Sequence, residues 1–105
     1  VTTYFTTRIW TAKPGQGEQV RSPLAGYTRI VAGISGARVR VFQNRDQPER
    51  YVTLGEWPYS AAFAAFRNHP DIARVSPALT AALAEEYPAG KHIDMDEVTG
   101  MPHPG

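Results

Sequence analysis

The order in which hydrophobic periodicities follow one another constrains this chain more than any single residue does. Residues 3–11 (Thr-Tyr-Phe-Thr-Thr-Arg-Ile-Trp-Thr) are almost all β-branched or aromatic and read as a strand. Lys13-Pro14-Gly15-Gln16-Gly17 breaks it. From Glu18 to Val31 the apolar positions Val20, Leu24, Tyr27 and Val31 recur at helical spacing, with Pro23 inside predicting a kink or a late start. Gly33 and Gly36 end that helix. Residues 37–43 alternate with period two, 44–49 form a polar turn, and 50–57 form the next strand, so the pair reads as an antiparallel hairpin. Pro58 suits the first turn of a helix reaching Asn68. Pro70 and Pro77 predict two further short helices, the last capped by Ser76 and burying Leu79, Leu83 and Tyr87. Residues 92–99 read as a final strand and 100–105 as an irregular tail.

The resulting order, β-α-β-β-α-β, predicts an α+β ferredoxin-like fold: a four-stranded antiparallel sheet with helices on one face, in one domain over residues 1–105. Phe5, Thr7 and Ile9 are expected on the helix-covered face, because two of the three are apolar. That leaves Tyr4, Thr6, Arg8 and Trp10 on the bare face, where a second copy would cover them as a homodimer. The chain carries eleven aromatics (Phe 4, Tyr 5, Trp 2). One small core hides several of them but hardly all, so the remainder should line a cavity or a subunit interface.

Composition removes several alternatives. A net charge of +1 offers no basic stripe for nucleic acid, and zero cysteines remove thiolate chemistry, disulfides and zinc ribbons. No apolar run approaches membrane-spanning length and the start lacks a secretory h-region, so a cytoplasmic location without membrane contact is expected.

The stretch Trp10-Thr-Ala-Lys-Pro-Gly-Gln-Gly-Glu18, the strand start at Gly36, the hairpin Asn44 to Trp57, Ala61-Ala-Phe63 and His69-Pro-Asp71 together resemble the antibiotic biosynthesis monooxygenase family. The resemblance runs to about Tyr87 and implies a dimeric α+β barrel. One branch of that family oxidises polycyclic anthrone-type aromatics with O2 in secondary metabolism, without metal, flavin or haem as cofactor. Another degrades haem with an Asn, a Trp and a His. The corresponding positions here are Thr7, Phe66 and Ser76, which lack that chemistry.

Oxygenation without a cofactor needs a dry aromatic slot, a proton acceptor and donors for the developing oxyanion. Phe5, Trp57, Tyr59, Phe63 and Phe66 are candidate walls binding the substrate, although a stripe such as Tyr59, Phe63, Phe66 is more often core packing against the sheet. Thr7 is a candidate catalytic hydroxyl, or a backbone-bonded one. The Trp57 indole N–H is a candidate for holding a substrate carbonyl, or equally a structural indole. His69 is the candidate base, or a helix cap before Pro70; His103 in the tail is a weaker one. Arg38 and Arg40 share a strand face. Arg40 is a candidate for stabilising an enolate, and both could instead form salt bridges, for example to Asp94 and Asp96 of a partner chain. His92, Asp94 and Asp96 share one face of the last strand, but their pattern fits solvated surface better than a metal site, and none is assigned. Two other functions stay open: a non-oxidative polyketide cyclase or isomerase on the same scaffold, and a small-molecule-binding dimer without catalysis.

Overall fold

The structure is a computed structural model, and it describes residues 4–84 and 93–95. Its elements run β1 (Tyr4–Thr11), α1 (Gly17–Ala32), β2 (Arg38–Gln43), β3 (Arg50–Trp57), α2 (Ser60–Arg67), α3 (Ile72–Ala82) and β4 (Ile93–Met95). The sheet order is β2-β3-β1-β4 with every neighbouring pair antiparallel. This is the ferredoxin-like α+β arrangement, with β1 and β3 at its centre.

Local chemistry places the breaks. Gly15 takes the left-handed conformation (φ +77°) that the turn between β1 and α1 demands. The Asn44 side chain closes the β2–β3 loop by accepting the N–H groups of Asp46 and Gln47 at 2.8 and 2.9 Å. α1 buries Val20, Leu24 and Val31, and carries Glu18 in its first turn and Arg29 in its last, as the helix dipole favours. It runs unbroken through Pro23 from Gly17 rather than starting late. α1 packs against α3 at Gly26, where a Cβ would meet the Val75 side chain in van der Waals contact at 3.4 Å.

Three expectations need correction. The short helices expected at Pro70 and Pro77 are one helix, α3, with Pro77 inside it. Ser76 is therefore not an N-cap; its hydroxyl lies 3.0 Å from the Tyr27 hydroxyl of α1. The third correction matters most for function. Thr6, Arg8 and Trp10 are buried whereas Ile9 is 49% exposed, so the faces of β1 are the reverse of those expected. The register explains why. Thr6, Arg8 and Trp10 stand opposite Gly55, Thr53 and Tyr51 of β3, all buried, while Phe5, Thr7 and Ile9 stand opposite Glu56, Leu54 and Val52 on the outer face. Both faces of β1 carry apolar residues, so alternation alone could not orient it.

Between sheet and helices lie two buried clusters: one around Trp10, Leu24, Tyr51 and Leu79, the other around Trp57, Phe63 and Phe66. Tyr27 packs against both. Among the described residues, no helix is long and apolar enough to cross a membrane.

Candidate functional site

The inner face of β1 and β3 is paved with two indoles, and each is anchored in the same way. Trp57 Nε1–H donates to the Thr6 hydroxyl at 3.0 Å, and Trp10 Nε1–H donates to the Thr53 hydroxyl at 3.0 Å. Each bond crosses from one central strand to the other. Gly55 makes room for the first of them, because a Cβ there would sit 2.6 Å from Trp57 Nε1 and 2.7 Å from Thr6 Oγ1. A threonine that accepts an N–H still has its own proton to give. Among the described residues, neither Thr6 nor Thr53 donates it to a protein acceptor.

Trp10 and Tyr27 each border two pockets, one narrow and one wider. Their ring centroids are 6.1 Å apart and the planes tilt by 57°. The narrow pocket, about 30 Å³, is lined by Thr6, Thr53, Gly55, Trp57 and Phe66. The wider one, about 180 Å³, is lined by Arg8, Ser76, Leu79, Thr80 and Leu83. Arg8 is only 8% exposed, and its guanidinium lies 3.8 Å from the Trp10 ring centroid, a cation–π contact within the fold. A larger groove of about 340 Å³ runs between α1 and β2 past Arg21, Thr28 and Gln43, but it lies open along the sheet edge and neither indole borders it.

The expected site residues distribute unevenly. Trp57 and Phe66 line the narrow pocket, and Phe63 stands behind Trp57 with centroids 5.1 Å apart. Phe5, Thr7 and Arg40 lie on the opposite face of the sheet from Trp57: the Thr7 hydroxyl donates to the Thr53 carbonyl at 3.1 Å, and Arg40 covers the Phe42 ring at 5.1 Å. Tyr59 is 59% exposed, just before α2. His69 sits between α2 and α3, where its Nδ1 accepts the Asp71 N–H at 3.1 Å, the geometry of a cap. Arg38 pairs within its own chain with Glu56 at 2.9 Å. His92, Asp96, His103 and the Asp94 side chain lie outside the described residues. Among the described residues, no group of three His, Asp or Glu could hold a metal.

The residues missed were Thr6, Arg8, Trp10, Tyr27 and Thr53. The alternation Tyr51, Thr53, Gly55, Trp57 on β3 held a usable signal, because a glycine inside a strand marks a close approach.

What these side chains can do follows from their chemistry. The narrow pocket offers aromatic walls and hydroxyl protons and the wider one an aromatic wall and a buried cation, features suited to groups on which negative charge develops.

The sequence profile described as antibiotic biosynthesis monooxygenase matches residues 4–78. Among solved structures, the chain is similar to SnoaB, a cofactor-independent oxygenase from Streptomyces nogalater, with 19% identity over 98% of this chain and 100% of that one, TM-score 0.79. It is similar to PA3566 from Pseudomonas aeruginosa, with 19% identity over 93% and 96%, TM-score 0.81. A conserved protein from Methanosarcina mazei Go1 matches with 14% identity over 92% and 94%, TM-score 0.81. No curated protein matches the sequence.

Proposed function

The chain belongs to the antibiotic biosynthesis monooxygenase family, and from that premise we propose that it oxygenates an electron-rich phenol or anthrone with O2, the substrate itself supplying the electrons. The observation that carries this reading is the pair of indole-anchored threonines, whose hydroxyl protons border a cavity walled by aromatic rings. A ring lying against Trp10 and Tyr27 would direct its oxygen to Thr6 and Thr53. Donors there favour the deprotonated substrate, which lets a water molecule take the proton. The carbanion form passes an electron to O2, and the two radicals join as a carbon-bound peroxide. Loss of water then leaves a carbonyl. In sum a ring CH2, as in an anthrone or the keto form of a phenol, plus O2 gives C=O plus H2O.

The Trp57 N–H, expected to hold a substrate carbonyl, is instead donated to Thr6, and in this reading the indole orients that hydroxyl. Phe66 is a wall and Phe63 its support. The outer sheet face carries Phe5, Ile9, Phe42, Val52 and Leu54, with Ile9 and Phe42 exposed, and we propose that a second copy covers it as a homodimer.

The test is turnover of anthrone and simple phenols, followed by quinone absorbance and an oxygen electrode. One O2 should disappear for each carbonyl formed, and turnover should cease under argon. Turnover that continues unchanged under argon would overturn the oxygenase reading in favour of a cyclase or isomerase, which needs the same oxyanion donors but no oxidant.

A further inference from the structure

We propose that the groove between α1 and β2 binds an aliphatic monocarboxylate of medium chain length, its carboxylate held by Arg21 and Tyr51 and its chain lying along α1. Neither indole borders this groove, so the site is independent of the oxygenase reading.

Size and shape fit such a ligand. The groove's volume of about 340 Å³ falls within the range of about 300–1,000 Å³ typical of small-molecule sites. One wall is formed by Arg21, Leu24, Ala25 and Thr28, which share one face of α1. At the α-helical rise of about 1.5 Å per residue, Arg21 to Thr28 spans about 10 Å, the length of a medium alkyl chain. The opposite wall is β2, where Val41 and Phe42 are 37% and 43% exposed.

Polarity changes along the groove, and this orients the ligand. Tyr51 is only 4% exposed, and its hydroxyl accepts the Gln43 Nε2–H at 3.4 Å. Its own proton has no acceptor among the described residues, and a buried donor left so is costly until a ligand or water meets it. That hydroxyl lies at the start of α1, 3.6 Å from where a Cβ on Gly17 would stand. Arg21 follows one turn later and forms no ion pair among the described residues. Glu49 also reaches this end, but its carboxylate accepts the Gly15 N–H at 3.3 Å and does not line the groove. Towards the other end Thr28 donates its hydroxyl proton to the Ala25 carbonyl at 2.7 Å, and the walls are otherwise Leu24, Ala25, Val41 and Phe42. A carboxylate head with an apolar tail matches that gradient. One head oxygen meets the guanidinium and the other takes the Tyr51 proton, while the tail covers apolar surface that water otherwise wets.

The probes are butyrate, hexanoate, octanoate and neutral 1-octanol, titrated into the folded protein and followed by amide chemical shifts. Affinity should rise about two-fold per CH2 from butyrate to octanoate, less than full burial would give because the groove is open along the sheet edge. Octanoate should bind about five-fold tighter than octanol, and the shifts should centre on Ala25, Thr28 and Val41. Arg21→Gln, at an exposed position, should bring octanoate down to the octanol level. Ala25→Leu should fill the groove and abolish binding of both. If Ala25→Leu does not fold, Val41→Phe blocks the same groove from its more exposed wall. Equal affinities for octanoate and octanol overturn the proposal. So does a preference that survives Arg21→Gln, or binding that the filling variant leaves intact. An absence of saturable binding overturns it too, and if binding fades as the protein is concentrated, the groove's occupant is a second copy. Oxygen uptake plays no part in these titrations, so failure of the oxygenase reading leaves their outcome unchanged.

Discussion

The two faces of the central sheet are built from the same strands, residue by alternate residue, yet they differ in how they treat polar groups. The inner face holds Thr6, Arg8 and Thr53, and each has a partner: an indole N–H on both threonines, an indole ring against the arginine. On the outer face Phe5, Ile9, Phe42, Val52 and Leu54 surround Arg38, Arg40 and Glu56, which remain at least partly in solvent. The difference teaches that apolar content does not identify the inside of a small sheet. What marks the inside is that its polar groups are bonded and its glycine is needed.

The largest expected effect sets one face against the other. Trp57→Ala removes a side chain that is 1% exposed and packs on Phe63 and Phe66, and should destabilise the fold by about 4 kcal/mol. Phe42→Ala on the outer face should stay within about 0.5 kcal/mol when the protein is dilute. On the proposed homodimer it should cost more at high concentration, because that association would be weakened as well. Urea melts at two protein concentrations read both numbers. Equal losses for the two variants in dilute solution would break the contrast between the faces.

Gly55→Ala comes next and sharpens the inner face alone. The new methyl group would lie 2.6 Å from the Trp57 indole nitrogen, so either the indole or the strand must move. A loss of about 2 kcal/mol is expected from such overpacking. Displacement of the indole from its threonine should show as a shift in tryptophan emission. A variant with unchanged melting and emission would mean the floor of the cavity is looser than these distances imply.

Most of the scaffold was legible because period-two and helical patterns alternate along the chain in one order, and the Asn44 turn and Gly15 break speak through local chemistry. The orientation of β1 was not legible. Phe5 and Ile9 look like core, Arg8 looks like surface, and only pairing with β3 reveals that Arg8 opposes Thr53 on the inner face. One inverted strand then carried Thr7 and Phe5 into the expected site and left Thr6 and Trp10 out of it. Tyr59, Phe63 and Phe66 show a finer limit. Helical spacing groups Phe63 and Phe66 correctly, but Tyr59 precedes the helix in an extended conformation and so leaves the buried stripe. Pro77 misled for a related reason: a proline marks a possible helix start, but α3 accommodates one within its span.

The smallest stability effect, that of Thr7→Val, belongs to the most discriminating contrast, because it compares neighbouring threonines with the same side chain. Thr6→Val removes the acceptor of a buried indole N–H and, with it, a hydroxyl proton bordering the cavity. An unsatisfied buried donor costs about 1–3 kcal/mol. Thr7→Val removes a part-buried bond to the Thr53 carbonyl, a loss of about 0.5–1 kcal/mol. Turnover should divide more sharply than stability. Thr6→Val should reduce kcat with oxygen as co-substrate, and Thr7→Val should leave it near the parent value, since its hydroxyl lies across the sheet. A kcat that falls with Thr7→Val and holds with Thr6→Val would return the chemistry to the other face of β1, and with it the site first expected from the sequence.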